Sequence, residues 1–354
     1  MKRKALFLTL ILSVLSLSSC NCNNWTDMDP DEFEKEAFTA GTCIIDVRSA
    51  DEYAEGHLYR AINVDFQKDG FIDNISRKVG KETRLAIYCK SGRRSAAASA
   101  ALSDAGYKVI NLREGFLSWA DAGKMSNTYQ VESISNGSEP MYVTLIKHGS
   151  LEISYKNYSI QVDPVSGYGK NTDYSKEFPK ADVILITHEH GDHLDVNAIK
   201  ALSSEKTRII MNAKSQQQTG IGEAMSNGQR TWLDPVGIAL EAVPAYNTTP
   251  GREQFHPKGN GNGYVLGFDG GLRAYIAGDT EDVPEMADLF VENNRVTVAF
   301  LPVNQPYTMT VEQCVNAASM IKPQILIPYH SGPTDLSDLP ELLPDVRVLL
   351  RDMQ

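Results

Sequence analysis

Short apolar runs alternate with helix-like segments over residues 27–124. The runs at 43–47, 85–88 and 109–112 have the length and apolar content of buried strands. Between them, Asp29 followed by Pro30 predicts a capped helix start, and small residues at 96–105 predict a helix that ends at Gly106. Strands alternating with helices predict an α/β domain with a parallel, doubly wound sheet and helices on both faces. Such sheets bind ligands at the carboxyl ends of their strands.

The pattern changes after residue 140. Segments 142–146, 151–155 and 159–162 alternate and lie close together in the chain, which predicts antiparallel neighbours. An apolar run at 183–186 and a helix at 196–202 follow. Residues 125–140 are polar, without an apolar period, and predict a linker. We therefore expect two domains, at 27–124 and 141–354, on either side of that linker.

A cluster of histidines follows the apolar run at 183–186. His188, His190, Asp192 and His193 lie within six residues of one another. Two histidines at i and i+2 can chelate one ion, while the Asp–His pair, displaced by the turn at Gly191, faces a second position. Two ions about 3.5 to 4 Å apart can bind both the attacked and the departing oxygen of a substrate. The loop predicts a hydrolytic metal site in which Asp192 also accepts the proton of the attacking water.

Further ligands are sought at the ends of other strands, because a binuclear site needs a third ligand for each ion and a bridge. Asp279 follows a strand and a glycine turn, which suits a carboxylate that bridges two ions. His330 ends the apolar run at 325–329 and is the expected last ligand.

The His-x-His-x-Asp-His motif after a buried strand resembles the signature of the metallo-β-lactamase superfamily. The resemblance implies an αββα sandwich and two divalent ions, zinc in the first place with manganese as the alternative. It implies that Asp163 braces the loop without binding metal. Residues 243–246, 263–266, 278–280 and 301–309 resemble the branch that contains L-ascorbate-6-phosphate lactonase and the N-acyl phosphatidylethanolamine phospholipases. No feature of the sequence chooses between an ester, a lactone, a phosphodiester and a thioester as the substrate. The implied ligands are His188, His190, Asp192, His193, Asp279 and His330.

One ligand of that superfamily is missing from this chain. Asn247 stands where a histidine is usual, and a neutral amide is a poor zinc ligand. Either the first metal position is weakened, or a nearby residue replaces the histidine. His256, nine residues further on, is the candidate, as a metal ligand, as a residue that contacts substrate, or as a surface residue without either role. The number and identity of the metals depend on this position.

A cysteine loop is the second chemical feature. Its residues run from a strand end into the start of a helix, so that backbone N–H groups can cradle an anion. The helix end and two arginines favour a thiolate, the form that accepts sulfane sulfur. The alternative is an inert cysteine of the core. The loop consists of Cys89, Lys90, Ser91, Gly92, Arg93, Arg94 and Ser95.

Residues 45–53, 56–58, 61–63 and 114–119 resemble the conserved pattern of a single-domain rhodanese. Glu114 departs from it, because it replaces the first glycine of the closing turn. The resemblance implies that Cys89 carries a persulfide, which the loop amides and Arg94 stabilise. It gives His57 a structural role.

The beginning of the chain resembles a bacterial lipoprotein signal. Residues 2–4 are basic, residues 5–17 are apolar, and Leu17-Ser18-Ser19-Cys20 resembles the lipobox. The resemblance implies that residues 1–20 are a signal peptide, that Cys20 is lipidated, and that the protein is anchored to a membrane of the bacterial cell envelope. A transmembrane anchor and an ordinary secretory signal are the alternatives.

Composition excludes two further classes. The formal net charge of -11 argues against a nucleic-acid partner, because no basic stripe is present to bind phosphates. The five cysteines are an odd number without paired spacing, and they do not predict a disulfide scaffold.

We therefore expect an envelope lipoprotein with a sulfurtransferase domain and a metal-dependent hydrolase domain. Its partners would be a small-molecule substrate, a donor or acceptor of sulfane sulfur, and the membrane. One alternative is sulfur oxidation of the persulfide dioxygenase type with a single iron. The other alternative is a noncatalytic module that binds sulfur species or anions.

Overall fold

The structure, a computed structural model, describes residues 25–136 and 139–353. The predicted signal peptide and Cys20 lie outside these residues. Within them, we find no helix with the length and apolar character that a membrane span requires.

The N-terminal domain contains a parallel five-stranded sheet flanked by short helices. In chain order its elements are β1 (Thr26–Met28), α1 (Pro30–Ala37), β2 (Thr42–Asp46), α2 (Ala50–Ala54), β3 (His57–Leu58), β4 (Ile62–Asn63), α3 (Phe71–Ser76), β5 (Arg84–Tyr88), α4 (Arg93–Asp104), β6 (Val109–Leu112) and α5 (Gly115–Asp121). The strand order is β1-β6-β5-β2-β4, with every pair parallel.

Alternate residues of the central strands face opposite sides of this sheet, as strand geometry requires. Cys43 and Ile45 pack with α3 and α4 on one face. Ile44 packs with α1, α2 and α5 on the other face. The predicted α/β fold with helices on both faces is confirmed.

The C-terminal domain is a sandwich of two seven-stranded sheets. In chain order the elements are β8 (Gln130–Ile134), β9 (Met141–Lys147), β10 (Ser150–Tyr155), β11 (Tyr158–Val162), α6 (Tyr174–Glu177), β12 (Val183–Ile186), α7 (Val196–Leu202), β13 (Arg208–Met211), α8 (Ala213–Thr219), β14 (Glu223–Ala224), β15 (Arg230–Leu233), β16 (Ile238–Ala245), β17 (Gly261–Gly267), β18 (Arg273–Ile276), β19 (Val298–Pro302), α9 (Val311–Ile321), β20 (Ile325–Tyr329), α10 (Leu339–Leu342) and β21 (Arg347–Val348). The first sheet has the order β14-β13-β12-β11-β10-β9-β8, and the second has the order β15-β16-β17-β18-β19-β20-β21. Short 3₁₀ helices lie at Asp269–Gly271 and Pro284–Leu289.

Three layers of apolar side chains hold this sandwich together. The inner faces of the two sheets share one core, which contains Ile153 and Val183 from the first sheet and Ile276 and Phe300 from the second. Helices α6 and α7 cover the outer face of the first sheet. Helices α9 and α10 and the 3₁₀ helix at Pro284–Leu289 cover the second. The predicted αββα sandwich is confirmed, including the antiparallel pairing of β9, β10 and β11.

The segment predicted as a linker, 125–140, contains two strands. One is β7 (Ser126–Asn127), which pairs with β3 of the N-terminal domain. The other is β8, which forms the edge of the first sandwich sheet against β9. Val131 of β8 packs into the core of the N-terminal domain. Because the segment is mostly polar, the sequence did not indicate β8, whose apolar residue Val131 packs between the two domains.

A buried carboxylate lies at the contact between the two domains. Glu152 of β10 accepts a hydrogen bond from the Tyr59 hydroxyl of the N-terminal domain at 2.5 Å. Ser159 Oγ donates to it at 2.6 Å and Thr144 Oγ1 at 3.3 Å. Burial raises the pKa of Glu152, and these hydroxyls only partly oppose that effect. The contact between the domains therefore holds an acid whose ionisation is costly.

We expect Glu152→Gln to raise the midpoint of thermal unfolding by a few degrees at pH 8, and by less at pH 5. A carboxyl whose pKa is raised by folding costs the folded state increasing free energy as the pH rises above its unfolded pKa. The amide can keep all three hydrogen bonds without that cost. Thermal unfolding at both pH values, with the exposed Glu205→Gln as control, measures the effect. A midpoint that falls at pH 8, or a gain that is independent of pH, would contradict this account of Glu152.

Candidate metal centre and thiol loop

The histidine-rich loop begins where β12 ends and is fixed by its neighbours. The backbone N–H of Thr187 donates to Asp163 Oδ1 at 2.8 Å, and its carbonyl accepts from the N–H of Asn262 at 3.0 Å. The N–H of His193 donates to the carbonyl of His190 at 3.0 Å and closes a turn. Asp195 then caps α7. The turn is therefore held rigidly between the two sheets.

Three imidazoles form the first group of candidate ligands. His188, His190 and His256 each offer a nitrogen, and these atoms lie within 4.8 Å of one another. His188 Nε2 and His190 Nδ1 are 3.1 Å apart. Burial lowers the pKa of both rings, and neighbouring histidines lower it further. The rings are therefore held in the neutral form that a metal ligand needs.

Asn247 supports the loop that carries His256. Its backbone N–H donates to the His256 carbonyl at 2.9 Å. Its side-chain amide donates to the carbonyl oxygens of Arg252 at 3.2 Å and Tyr307 at 2.7 Å. The Tyr307 carbonyl also lies 3.1 Å from His256 Nδ1, which leaves Nε2 to face the centre. Of the alternatives stated for His256, this geometry favours the metal ligand.

A second group contains a histidine that the sequence analysis missed. Asp192, His193 and His330 lie together with His148, again with one ligand atom each within 4.8 Å. His148 occupies the turn between β9 and β10, and its Nε2 is 3.1 Å from Asp192 Oδ2. The signal was a histidine followed by glycine in a hairpin turn. A Cβ at Gly149 would lie 2.7 Å from His193 Cε1, so only glycine allows this turn to pack against the centre.

Asp279 lies between the two groups. Its Oδ1 is 3.3 Å from His193 Nε2, and its Oδ2 is 3.3 Å from the Nε2 atoms of both His256 and His330. Burial would raise the pKa of Asp279, but the surrounding histidines, His330 first, hold it well below its usual range. Gly278 before it has a φ of +66°, and a Cβ there would lie 2.9 Å from the Asn262 carbonyl oxygen. The glycine turn therefore positions an ionised carboxylate between the groups.

Several atoms at this centre are buried without a hydrogen-bond partner among the described residues. They are His193 Nε2, His256 Nε2, both ring nitrogens of His330, and Asp279 Oδ1. A buried polar atom without a partner costs free energy, and these atoms converge on one place. Nitrogen and carboxylate donors in such groups suit zinc and similar divalent ions. The residues present therefore fit a pair of metal ions.

Asp163 orients His193 from behind. Its Oδ2 is 2.8 Å from His193 Nδ1 and accepts from Thr187 Oγ1 at 2.7 Å. Burial opposes a charge on His193, but Asp279 and Asp163 hold its pKa well above the usual value. The carboxylates of Asp163 and Asp279 therefore stabilise positive charge beside them, whether it is a proton on His193 or a divalent ion. A carboxylate behind a ligating histidine is a common second layer of metal sites.

Two exposed tyrosines flank the centre. The ring of Tyr168 lies 4.2 Å from that of His148, and its side chain is 46% exposed. Tyr307, 48% exposed, packs its ring at 5.1 Å from Phe255, the residue before His256. Tyr307 belongs to the stretch 301–309 singled out from the sequence. The mouth of the centre thus offers aromatic surface to a bound molecule.

The cysteine loop is built around two glycines. Gly92 and Gly115 both have positive φ. A Cβ on Gly92 would lie 1.8 Å from the Arg113 carbonyl oxygen, and one on Gly115 would lie 2.3 Å from that of Cys89. The N–H of Phe116 donates to the Cys89 carbonyl at 2.8 Å. Because Gly92 turns the chain directly into α4, the helix begins at Arg93, three residues earlier than the start predicted at residue 96.

The polar side chains of the loop differ in their surroundings. Cys89 is buried at the end of β5, and Ser95 donates to the Gly92 carbonyl at 3.0 Å. Arg94 donates to both carboxylate oxygens of Glu52, each at 2.7 Å. Lys90, Ser91 and Arg93 are exposed. Glu52, part of the rhodanese-like pattern at 45–53, fixes Arg94 at the rim of the loop, a contact that the sequence analysis did not predict.

His57 has contacts that suit a structural role. Its ring is fully buried, with Nδ1 3.0 Å from the Leu58 carbonyl and Nε2 2.8 Å from the Tyr129 carbonyl. It stacks on Tyr53 with the ring centroids 3.7 Å apart. Burial lowers the pKa of His57 to about 4. The ring therefore joins the N-terminal domain to the segment before β8.

Family comparisons match each domain separately. Residues 142–330 match the model described as a beta-lactamase superfamily domain. Residues 29–122 match the model described as a rhodanese-like domain.

Individual relatives match the C-terminal domain. A candidate metal-dependent hydrolase from Parabacteroides distasonis is 52% identical, with a TM-score of 0.59, over 64% of this chain and 100% of that one. Igni18, a metallo hydrolase from the archaeon Ignicoccus hospitalis, is 25% identical, with a TM-score of 0.51, over 60% of this chain and 95% of that one. A UPF0173 metal-dependent hydrolase from Pyrococcus furiosus is 32% identical over 194 residues, which are 53% of this chain and 83% of that one.

Proposed function

The chain belongs to the beta-lactamase superfamily, and from this premise we propose that its C-terminal domain hydrolyses an ester, a lactone or a phosphodiester with two divalent ions. It is a metal-dependent hydrolase that also carries a rhodanese-like domain. The observation that carries the proposal is the carboxylate of Asp279, which lies between two groups of imidazole ligands. The resemblance to the lactonase and phospholipase branch supports these substrate classes.

The two groups would hold one ion each. His188, His190 and His256 would bind the first ion. Asp192, His193 and His330 would bind the second, with Asp279 bound to both. Divalent ions in such a site act as Lewis acids toward the scissile bond and make a water molecule more acidic. Zinc suits the imidazole-rich donor set, and manganese is the alternative.

The protein's own residues would orient the reactants. Burial would raise the pKa of Asp192, but His148 and then His330 hold it well below its usual range. Asp192 is therefore ionised, and it can accept a hydrogen bond from the attacking water. His148, 3.1 Å away, fixes this carboxylate. Tyr168 and Tyr307 would contact the part of the substrate that is not cleaved.

The N-terminal domain would transfer sulfane sulfur through Cys89. The thiolate attacks the outer sulfur of a donor such as thiosulfate, sulfite leaves with its electron pair, and Cys89 keeps the sulfur as a persulfide. A nucleophilic acceptor then takes the sulfur and restores the thiolate. By the resemblance, the amides at the start of α4 and Arg94 would stabilise the persulfide. Its partners would be a sulfane-sulfur donor and acceptor.

The whole protein would be a lipoprotein of the bacterial cell envelope. The basic residues 2–4, the apolar residues 5–17 and the lipobox-like sequence before Cys20 support this location. Acyl chains on Cys20 would provide the membrane anchor, because the net charge of -11 offers little attraction to anionic lipids. The substrate of either domain would be a small molecule.

The hydrolase proposal is tested with a panel of p-nitrophenyl esters, bis-p-nitrophenyl phosphate and simple lactones. We expect hydrolysis of at least one class, loss of that activity after dialysis against a chelator, and recovery on addition of zinc or manganese. The metal requirement follows from the ligand groups at the centre. Metal-replete protein that is inert on all three classes would contradict the proposal and favour a noncatalytic binding module.

A further inference from the structure

A groove runs between the two domains, apart from both the metal centre and the thiol loop. It consists of two adjoining cavities of about 660 and about 480 Å³. Asn63, Lys78 and Arg347 line both cavities, so that the two are continuous. Clefts between domains are common places for small ligands to bind. The volume is sufficient for a molecule larger than a simple ion.

The groove is basic in a protein that is otherwise acidic. Six cationic side chains line it, against the three carboxylates of Asp65, Glu132 and Asp352. The chain as a whole carries a net charge of -11. The local excess of positive charge is therefore a property of this groove and not of the surface in general. The six cations are Lys68, Arg77, Lys78, Lys170, Arg347 and Arg351.

Among the described residues, Arg351 is the one of these six cations that is paired with a carboxylate, and of the other five only Lys78 and Arg347 line both cavities. Lys78 and Arg347 form no ion pair with any residue in the part of the chain that the structure describes. Arg351, in contrast, donates to Glu132 at 2.8 Å, and Glu132 also accepts from Gln130 at 3.0 Å. Glu132 is therefore already engaged within the protein. Lys78 and Arg347 lie where the two cavities meet, and no carboxylate of the described residues neutralises their charges.

Both domains build this groove, and part of its lining is apolar. Lys78 belongs to the N-terminal domain and Arg347 to the C-terminal one, so that the charges converge only in the assembled chain. The Lys78 carbonyl accepts from Ser133 Oγ at 3.2 Å, which fixes this wall against β8. Ala50 and Ala54, both exposed, supply apolar surface beside the charges. The lining thus suits a molecule with an anionic end and an apolar part.

We propose that this groove is a binding site for a small phosphorylated molecule, with Lys78 and Arg347 as the residues that contact its phosphate groups. Lysine and arginine side chains recognise phosphate oxygens through charge-assisted hydrogen bonds, and arginine can bind two of them at once. The same chemistry is present in free inorganic diphosphate and in an organic diphosphate. The apolar lining favours the organic form.

The groove also adjoins a segment that touches the metal centre. Arg351 and Asp352 line it, and the next residue, Met353, accepts a hydrogen bond from the backbone N–H of His148. His148 lies against Asp192 and His330. A ligand in the groove would therefore lie beside Asp352, the neighbour in sequence of the residue that binds the backbone of His148.

The test is isothermal titration of the full metal-loaded protein with inorganic pyrophosphate and, separately, with adenosine 5′-diphosphate. The variant Lys78→Gln/Arg347→Gln removes the two positive charges that line both cavities without adding new ones. We expect binding of at least one probe, weakened roughly tenfold or more in this variant, and weakened in both proteins at raised ionic strength. Tighter binding of the organic diphosphate would support the apolar part of the site.

The matched control is Lys108→Gln/Lys206→Gln, which removes one exposed lysine from each domain outside the groove. It should bind both probes as the unchanged protein does. Circular dichroism and the thermal midpoint check that each variant is folded. Binding of neither probe, or binding that is equally strong in Lys78→Gln/Arg347→Gln, would overturn the proposal. The second result would assign the phosphates to another site, such as the metal centre.

Discussion

Asp279→Ala is expected to lower hydrolysis by about a thousandfold or more while leaving sulfur transfer unchanged. The carboxylate lies 3.3 Å from His193, His256 and His330, so its removal takes a shared ligand from both groups at once. It also removes the negative charge that lies among these three imidazoles. Hydrolysis of the best substrate of the panel and sulfur transfer from thiosulfate to cyanide are measured on the same preparation.

The control for this substitution is Asp288→Ala, which removes an exposed carboxylate of the same domain. It should retain both activities. Retained sulfur transfer in Asp279→Ala shows that the N-terminal domain is folded, and circular dichroism with the thermal midpoint checks the domain that carries Asp279. Residual hydrolysis equal to that of the unchanged protein would remove Asp279 from the centre.

Cys89→Ser is expected to abolish sulfur transfer to cyanide and to leave hydrolysis intact. Serine keeps the size of the side chain but is too weak a nucleophile to accept sulfane sulfur at neutral pH. Burial raises the pKa of Cys43 and of Cys314 to about 12, so both remain thiols. Of the cysteines that the structure describes, Cys89 is the one at the carboxyl end of a strand and the start of a helix.

Cys43→Ala is the matched control for this substitution, because it removes a buried thiol of the same domain. It should transfer sulfur at the normal rate once folding is verified. If Cys89→Ser still transfers sulfur, or if Cys43→Ala loses transfer while folded, the thiol loop is not the sulfur site. In that case the domain would be a candidate for noncatalytic anion binding.

The sequence allowed the main elements of both domains to be predicted because their signals are local. The apolar run at 183–186 and the helix at 196–202 coincide with β12 and α7. Antiparallel pairing of β9, β10 and β11 followed from alternation and short turns. Each of these depends on residues near one another in the chain.

The features that were missed depend on contacts between distant segments. His148 is 44 residues from Asp192, and no local pattern indicates that a hairpin turn reaches the metal centre. Glu52 is similarly 42 residues from its partner Arg94. The role of β8 was hidden because its neighbours belong to two domains. Such features become visible only when the topology is known.

Asn247 illustrates how the two kinds of information combine. The sequence showed that a usual ligand was replaced, and it offered His256 as one of several alternatives. The structure brings His256 to His188 and His190, and Asn247 donates hydrogen bonds that hold the same loop. The amide at this position is therefore better suited to support a ligand than to be one.

The central claim is that two ions bind at this centre with His256 as a ligand, and metal analysis tests it most directly. Elemental analysis is made on the chain without residues 1–20, beside His256→Ala and Asn247→His. We expect two zinc or manganese ions per chain, falling to one in His256→Ala, because that variant loses one of the three imidazoles of the first group. A single iron that is unaffected by His256→Ala would contradict the claim and indicate sulfur oxidation instead of hydrolysis.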